Sequence, residues 1–328
     1  MPGRLFAAAA LAMTLGMIRP AGPGSIDSAP PPAPAKGRVE IRLRVGGFER
    51  VLHLHIPSAY DPGRGWPLVM IFHGAGGSGD RYLDGNGWAA AAEREGFLAA
   101  APDGLPARPN RPAQFLLNPR LWNDGQLRAG TPRAAVDDVA FVRAAINEIG
   151  RHYKIDASRI FAAGHSNGAG LVFRLGAEMA DRLAAFAAVA GHCWIESPHP
   201  AKPMPTLYIV GMDDPLVRIE GGEMSTPWGK KVNPPIARTL ETWASALGVT
   251  PVPQTLSEGN GLRRVVYGDP TAAAFLEVIF IEGQGHGWPG GRETLLPERF
   301  IGPRVETLDA TAAIWAFFRA VAERPGHN

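Results

Sequence analysis

One stretch restricts this chain more than any other: Ser158-Arg159-Ile160-Phe161-Ala162-Ala163-Gly164-His165-Ser166-Asn167-Gly168-Ala169-Gly170. Ile160 to Ala163 is a short apolar run that reads as a buried strand, and Gly164-x-Ser166-x-Gly168 follows it without a break. Leu171-Val172-Phe173-Arg174-Leu175 then reads as a helix. Strand, sharp turn and helix in this order form a nucleophile elbow, which lifts a serine hydroxyl above the edge of a sheet. Both glycines have a steric task, because strand and helix cross too closely for a Cβ at either position. In a chain with 40 glycines the motif alone is a weak signal, since a tight turn with a helix-capping hydroxyl has the same letters. Its strand-and-helix frame gives it weight.

The remaining elements predict an α/β fold. Val39–Val45 and Arg50–Ile56 alternate apolar and polar residues around Gly46-Gly47, as an antiparallel hairpin at a sheet edge does. Pro67–Phe72 is continuously apolar, the pattern of a strand buried on both faces. A helix is expected over 88–95, a strand over 97–101 and a helix over 136–146, where Asp137 or Asp138 has a capping role. Beyond the elbow helix, 171–179, strands are expected over 183–191, 205–211, about 263–267 and 274–281. Helices over 236–247 and about 306–322 complete the series. Strands alternating with helices make a mainly parallel sheet. The Pro- and Gly-rich stretch 102–132 reads as a long loop beside a cleft.

A chain of 328 residues can bury a core without disulfide staples, and no internal repeat or second domain is visible. The net charge of +2, with no Lys/Arg run, excludes a phosphate-tracking stripe and hence nucleic acid as a partner. Cys193 is the only cysteine and reads as a buried, inert thiol. Arg4 and the apolar run Leu5–Ile18, too short to span a bilayer, read with Ala21, Gly22 and Gly24 as a signal peptide over 1–24. The expectation is a secreted or periplasmic protein with no stable membrane anchor. Residues 25–37 form a Pro-rich linker, and one domain occupies 38–328. His53 and His55 share a strand face, but no third ligand is in view, so they read as solvent-facing and no metal is expected.

A serine hydroxyl becomes a good nucleophile only when a base takes its proton and a carboxylate orients that base. On an elbow of this kind the chain order is Ser, then Asp or Glu, then His. Four histidines follow Ser166. His192 and His199 precede the acid candidates, and His327 lies at the C-terminus, which leaves His286, in a glycine-flanked loop after strand 274–281. Gly211-Met212-Asp213-Asp214-Pro215-Leu216-Val217 follows strand 205–211 and supplies the acid, with spacing unable to choose between the two aspartates. Strand 67–72 ends in His73-Gly74-Ala75-Gly76-Gly77-Ser78-Gly79. The spacing fits neither phosphate-binding glycine motif, and beside a serine nucleophile such a loop serves as an oxyanion hole.

Four motifs in order, Gly-Ala-Gly-Gly-Ser-Gly after His73, Val-Asp-Asp-Val-Ala-Phe-Val from Val136, Gly-His-Ser-Asn-Gly-Ala from Gly164 and Gly-His-Gly-Trp-Pro-Gly-Gly from Gly285, carry a resemblance. Together they resemble the secreted α/β-hydrolase esterases that include polyhydroxybutyrate depolymerases and feruloyl esterases. The likeness runs from about Arg38 to the last helix. It implies an α/β-hydrolase fold and a serine esterase that needs no cofactor. It also implies Asp214 as the acid, through the form Gly-x-x-Asp-Pro-x-Val, and backbone N–H groups of Ala75 and Asn167 as the oxyanion hole. Trp122, in the cleft-side loop, and Trp288, beside His286, are candidates to line a substrate pocket. With no separate polymer-binding module after a linker, soluble or oligomeric esters are expected as substrates rather than solid polyester. Two rival readings differ in visible ways. A prolyl-oligopeptidase-like serine peptidase would carry a gating domain, and a non-catalytic binding protein would have lost a triad member.

Overall fold

Trp66–Phe72 is buried at every position, and the rest of the chain is laid out on either side of it. The computed structural model describes residues 35–127, 130–292 and 296–324. The leader expected over 1–24, and the linker up to residue 34, lie outside the described residues. In chain order the strands begin with β1 (Gly37–Val45), β2 (Phe48–Ile56), β3 (Trp66–Phe72), β4 (Leu98–Pro102), β5 (Leu105–Pro106), β6 (Arg120–Leu121) and β7 (Ile155–His165). They continue with β8 (Ala185–Val189), β9 (Thr206–Gly211), β10 (Gly222–Thr226), β11 (Gly229–Asn233), β12 (Gln254–Gly259), β13 (Leu262–Tyr267) and β14 (Leu276–Ile281). The helices are α1 (Gly79–Gly85), α2 (Trp88–Glu95), α3 (Asp138–His152), α4 (Asn167–Glu178), α5 (Ile236–Ala246), α6 (Glu298–Ile301) and α7 (Ala310–Ala322).

Ten strands form one sheet in the order β1-β2-β4-β3-β7-β8-β9-β14-β13-β12. The central strands, from β4 across to β14, run parallel. Antiparallel strands close both margins, β1 and β2 on one side, β13 and β12 on the other. Phe141 of α3, Phe173 of α4 and Trp243 of α5 pack with Leu68, Met70 and Phe72 on one face. Leu83 of α1, Trp88 of α2 and Phe318 of α7 pack with Val69 and Ile71 on the other. β3 thus belongs to two cores at once, which is why its sequence shows no alternation.

Several elements escape pattern reading for physical reasons. α1 is bounded by glycine at both ends, a composition that disfavours helix in isolation. It is held by Asp103, whose Oδ1 accepts the Gly79 N–H at 2.7 Å, and by burial of Tyr82 and Leu83. β12 is exposed at all six positions and so carries no apolar signal. The β10–β11 hairpin is exposed at most positions.

Asp137 and Asp138 divide the work that the sequence assigned to either. Asp137 caps α3, its Oδ1 accepting from the Ala140 N–H at 2.8 Å. Asp138 is fully buried and receives Arg50 at 2.8 Å, Arg133, and the Asn123 N–H at 2.7 Å. Capping does not account for Asp138. It pins the cleft-side loop to the core. Removing one member of a buried ion pair leaves uncompensated charge, worth about 3–5 kcal/mol. Asp138→Ala is therefore expected to lower the urea midpoint sharply. Asp181→Ala, which breaks an exposed pair with Arg143, should shift stability by about 1 kcal/mol or less.

Candidate active site

The turn between β7 and α4 places Ser166 at φ +56°, ψ −116°, one of three non-glycine residues with positive φ among those described. The strain is enforced by close crossing. A Cβ on Gly164 would lie 2.1 Å from the Gly168 carbonyl oxygen, and one on Gly168 would lie 2.3 Å from that of Phe72. The Ser166 N–H donates to Val189 O at 2.9 Å, so the β7–α4 turn is also tied to the end of β8. A side chain at either glycine would push α4 off the sheet.

Three loops at the ends of parallel strands converge here. His286 Nε2 is 2.8 Å from Ser166 Oγ, and His286 Nδ1 is 2.8 Å from Asp214 Oδ2. Asp214 is 3% exposed, and its Oδ1 accepts the backbone N–H groups of Leu216 and Val217 at 2.7 and 2.8 Å. Asp213 is exposed and only its backbone joins the cluster, donating to Gln284 O at 3.0 Å. Adjacent aspartates thus face opposite ways. Gln284 braces the histidine loop, donating to the Gly287 carbonyl at 3.0 Å and accepting from the Val305 N–H at 3.2 Å.

Ala75 lies beside Ser166 in the cavity wall, and Asn167 is the first residue of α4. Neither backbone N–H enters a turn or loop hydrogen bond among the described residues. The Asn167 side chain is locked: its Oδ1 accepts from Trp122 N at 2.7 Å, and its Nδ2 donates to Asp124 Oδ2 at 2.7 Å. His165, inside the elbow motif, links three loops. Gly74 N–H donates to Tyr82 Oη at 3.1 Å, Tyr82 Oη donates to His165 Nδ1 at 2.6 Å, and His165 Nε2–H donates to the His286 carbonyl at 2.7 Å. His73 similarly bonds the Gly74 carbonyl and accepts from the Gly104 N–H at 2.9 Å. Sequence reading assigned neither histidine a role, although both stand inside its motifs.

Ser166 stands between two cavities. A small one of about 80 Å³ is lined by Tyr82, His165, Leu296 and Ile301. A larger one of about 370 Å³ is lined by Leu117, Leu121, Asp124, Trp194, Val217 and Trp228. Trp122 and Trp288 line neither. Both are buried in the core, where Trp122 donates to the His73 carbonyl at 2.9 Å and Trp288 to Thr311 Oγ1 at 3.1 Å. The expected pocket tryptophans are therefore structural, each oriented inward by a partner for its indole N–H. Trp194 and Trp228 take the place expected of them. The ring of Trp228 crosses that of Phe115 at 5.4 Å, and its indole donates to the Phe115 carbonyl at 2.9 Å.

His53 and His55 are not turned to solvent. His55 Nε2 is 2.9 Å from Glu93, and His53 lies 3.7 Å from Asp103, whose negative charge raises its pKa. Asp80 completes a group of three side chains spaced as metal ligands could be. Asp103 is already engaged by Arg120 at 3.3 Å and by the Gly79 N–H, so the group reads as an ion-pair cluster. Cys193 is partly buried, and desolvation pushes its thiol up to about 11, which makes it a poor nucleophile.

No family model matches the chain. Among curated proteins, one named as the esterase NocK, of Nocardia uniformis subsp. tsuyamanensis, is 30% identical over 269 residues, covering 75% of this chain and 73% of the relative. The chain belongs to the α/β-hydrolase esterases. Feruloyl esterase B of Piromyces equi is 29% identical over 266 residues, and there this esterase spans 46% of the relative's length. Among solved structures, the acetyl xylan esterase of Aspergillus awamori has a TM-score of 0.55 at 16% identity, covering 76% of this chain and 94% of that one. The native structure of pOPH also has a TM-score of 0.55, at 15% identity, covering 92% and 91%. At those identities the structures share the fold. The esterase is a carboxylic-ester hydrolase on an α/β-hydrolase sheet, with its antiparallel hairpin at the N-terminal margin.

Burial makes the site sensitive to acid. Desolvation lowers the pKa of His165 to about 3 and of His73 and His192 to about 4. Below the unfolded value of 6.5 the unfolded chain takes up protons that the native protein refuses. Stability is therefore full above that value and falls through the window from 6.5 to between 4 and 3. At pH 5 each of these histidines contributes a loss on the order of 2 kcal/mol. His53, with its raised pKa, acts in the opposite sense and offsets a part. The urea midpoint is expected to fall steeply between pH 7 and pH 5. A flat midpoint would contradict neutral burial.

Proposed function

We propose that this esterase acts through an acyl-enzyme on Ser166, with His286 as general base and Asp214 as its orienting acid. The observation that carries the reading is the unbroken line Ser166 Oγ, His286, Asp214, with 2.8 Å at each junction, at the floor of a cleft. Ser166 Oγ attacks the ester carbonyl while His286 Nε2 takes its proton. Asp214 Oδ2 accepts the Nδ1–H and stabilises the imidazolium. The N–H groups of Asn167 and Ala75 meet the developing oxyanion, each worth roughly 3 kcal/mol of transition-state stabilisation. His286 then protonates the leaving alcohol, and water releases the acid. The reaction so written uses no cofactor or metal.

The larger, mainly apolar cavity suits the bulkier arm of the ester, and the small one a short arm. Feruloyl, acetyl-sugar and hydroxyalkanoate esters are the substrate classes to compare, the first two because relatives carry those names. Secretion or periplasmic export follows the leader-like residues 1–24 and is checked by N-terminal sequencing of exported protein. The acyl-enzyme is tested with an organophosphorus fluoride that phosphorylates activated serines. One equivalent should appear on the peptide containing Ser166, with loss of activity. Labelling elsewhere, or none in active protein, would overturn the proposal.

A further inference from the structure

The two cavities beside Ser166 share five lining residues: Ala75, Ser166, Leu216, Trp228 and His286. They therefore meet at the reacting atoms, and these five residues form the waist between them. Four of the five come from loops that the chemistry already fixes. Ala75 belongs to the oxyanion loop, Ser166 to the elbow, Leu216 to the acid loop and His286 to the histidine loop. Trp228 is the exception. It stands in the two-residue turn between β10 and β11, a hairpin with no part in the triad, and it is the largest side chain at the waist.

The ring is held from several sides. Its indole N–H donates to the Phe115 carbonyl at 2.9 Å, and the two rings meet edge-on at 62°. The Trp228 backbone N–H donates to Thr226 Oγ1 at 3.2 Å, and that hydroxyl donates to Gly229 O at 2.8 Å, which fixes the turn. The far edge of the indole lies against the oxyanion loop. A Cβ on Gly76 would stand 3.4 Å from Trp228 Cζ2 and 2.6 Å from the Phe115 ring. Trp228 is only half-buried and belongs to neither apolar core, so the fold does not need it as packing. A large rigid side chain clamped at a cleft, on a mostly exposed hairpin, has its use in the cleft.

We propose that Trp228 sets substrate shape. Its ring closes the small cavity, about 80 Å³, off from the large one, about 370 Å³. An ester must then present one short arm and can present one long arm. This inference rests on Ser166 as the nucleophile and on the two cavities as the places of the two arms.

The test measures kcat/KM on a grid of straight-chain aliphatic esters, followed by acid release. Acyl and alcohol arms each run from about two to eight carbons, a span that covers both cavities. The parent should accept a long chain on one arm and discriminate about a hundred-fold against esters long on both. Trp228→Ala should cut that factor to about ten-fold or less. Trp228→Leu, which keeps part of the apolar bulk, should give a value in between. Phe115→Ala removes the clamping ring but lines neither cavity, and should relieve the discrimination in part. Trp194 lines the large cavity alone, so Trp194→Ala should leave the factor as it was, whatever it does to overall activity. A parent that takes long–long esters as well as long–short ones would overturn the proposal. So would a factor unchanged in both Trp228 variants, shown to be folded by circular dichroism, or equal relief by Trp194→Ala. Failure of the Ser166 reading is separate: Ser166→Ala would still hydrolyse esters across the grid.

Discussion

Ser166→Ala is expected to lower kcat/KM for p-nitrophenyl butyrate by about ten-thousand- to a million-fold, roughly 5.5–8 kcal/mol of transition-state stabilisation. The substitution removes one oxygen that His286 Nε2 contacts at 2.8 Å and leaves the backbone of the elbow as it was. Alanine takes over the positive φ of Ser166, and the crossing of β7 and α4 still depends on Gly164 and Gly168. The loss should therefore fall on kcat, with far-UV circular dichroism unchanged. Oxyanion donors would remain, so a residual rate above water is expected. Activity within ten-fold of the parent, in folded protein, would remove Ser166 from the chemistry.

Asp214→Asn should cost kcat about ten-thousand-fold, whereas Asp213→Asn should leave it nearly unchanged. The reason is a tautomer. The N–H groups of Leu216 and Val217 both donate to Asp214 Oδ1, at 2.7 and 2.8 Å, and will hold the amide oxygen of an asparagine there. The amide nitrogen then faces His286 Nδ1 and donates to it. With Nδ1 an acceptor, the ring proton sits on Nε2, and that nitrogen can no longer take the proton of Ser166. Asp213 is exposed and offers only its backbone to the cluster. Equal losses in the two variants, measured as kcat at pH 8, would contradict the assignment of the acid to Asp214.

Much of the fold is legible because its signals are local. The unbroken apolar run of β3 reflects burial on two faces, and the alternation in β1 and β2 reflects a sheet margin. α2 has the bounds that its pattern indicates, Trp88–Glu95. α1 and β12 fail for the converse reason. One is held by Asp103 from a distant loop, and the other has no buried residue to show a period. Asp138 looks like a helix cap until Arg50, 88 residues away, is brought to it.

By itself, the sequence determined the parallel α/β frame, the elbow at Ser166 and the histidine that follows it in a strand-end loop. These depend on short-range sterics and on periodicity, which neighbouring residues express directly. Tertiary structure alone decided which residues face the cleft. Trp122 and Trp288 turn into the core to satisfy their indole N–H groups, while Trp194 and Trp228 come to the cavity from other loops. The spacing of Asp213 and Asp214 leaves both open. Backbone donors at Leu216 and Val217 aim one at His286 and leave the other in water. A pocket wall is assembled from side chains far apart in the chain, and the direction of each is set by partners that no local pattern contains.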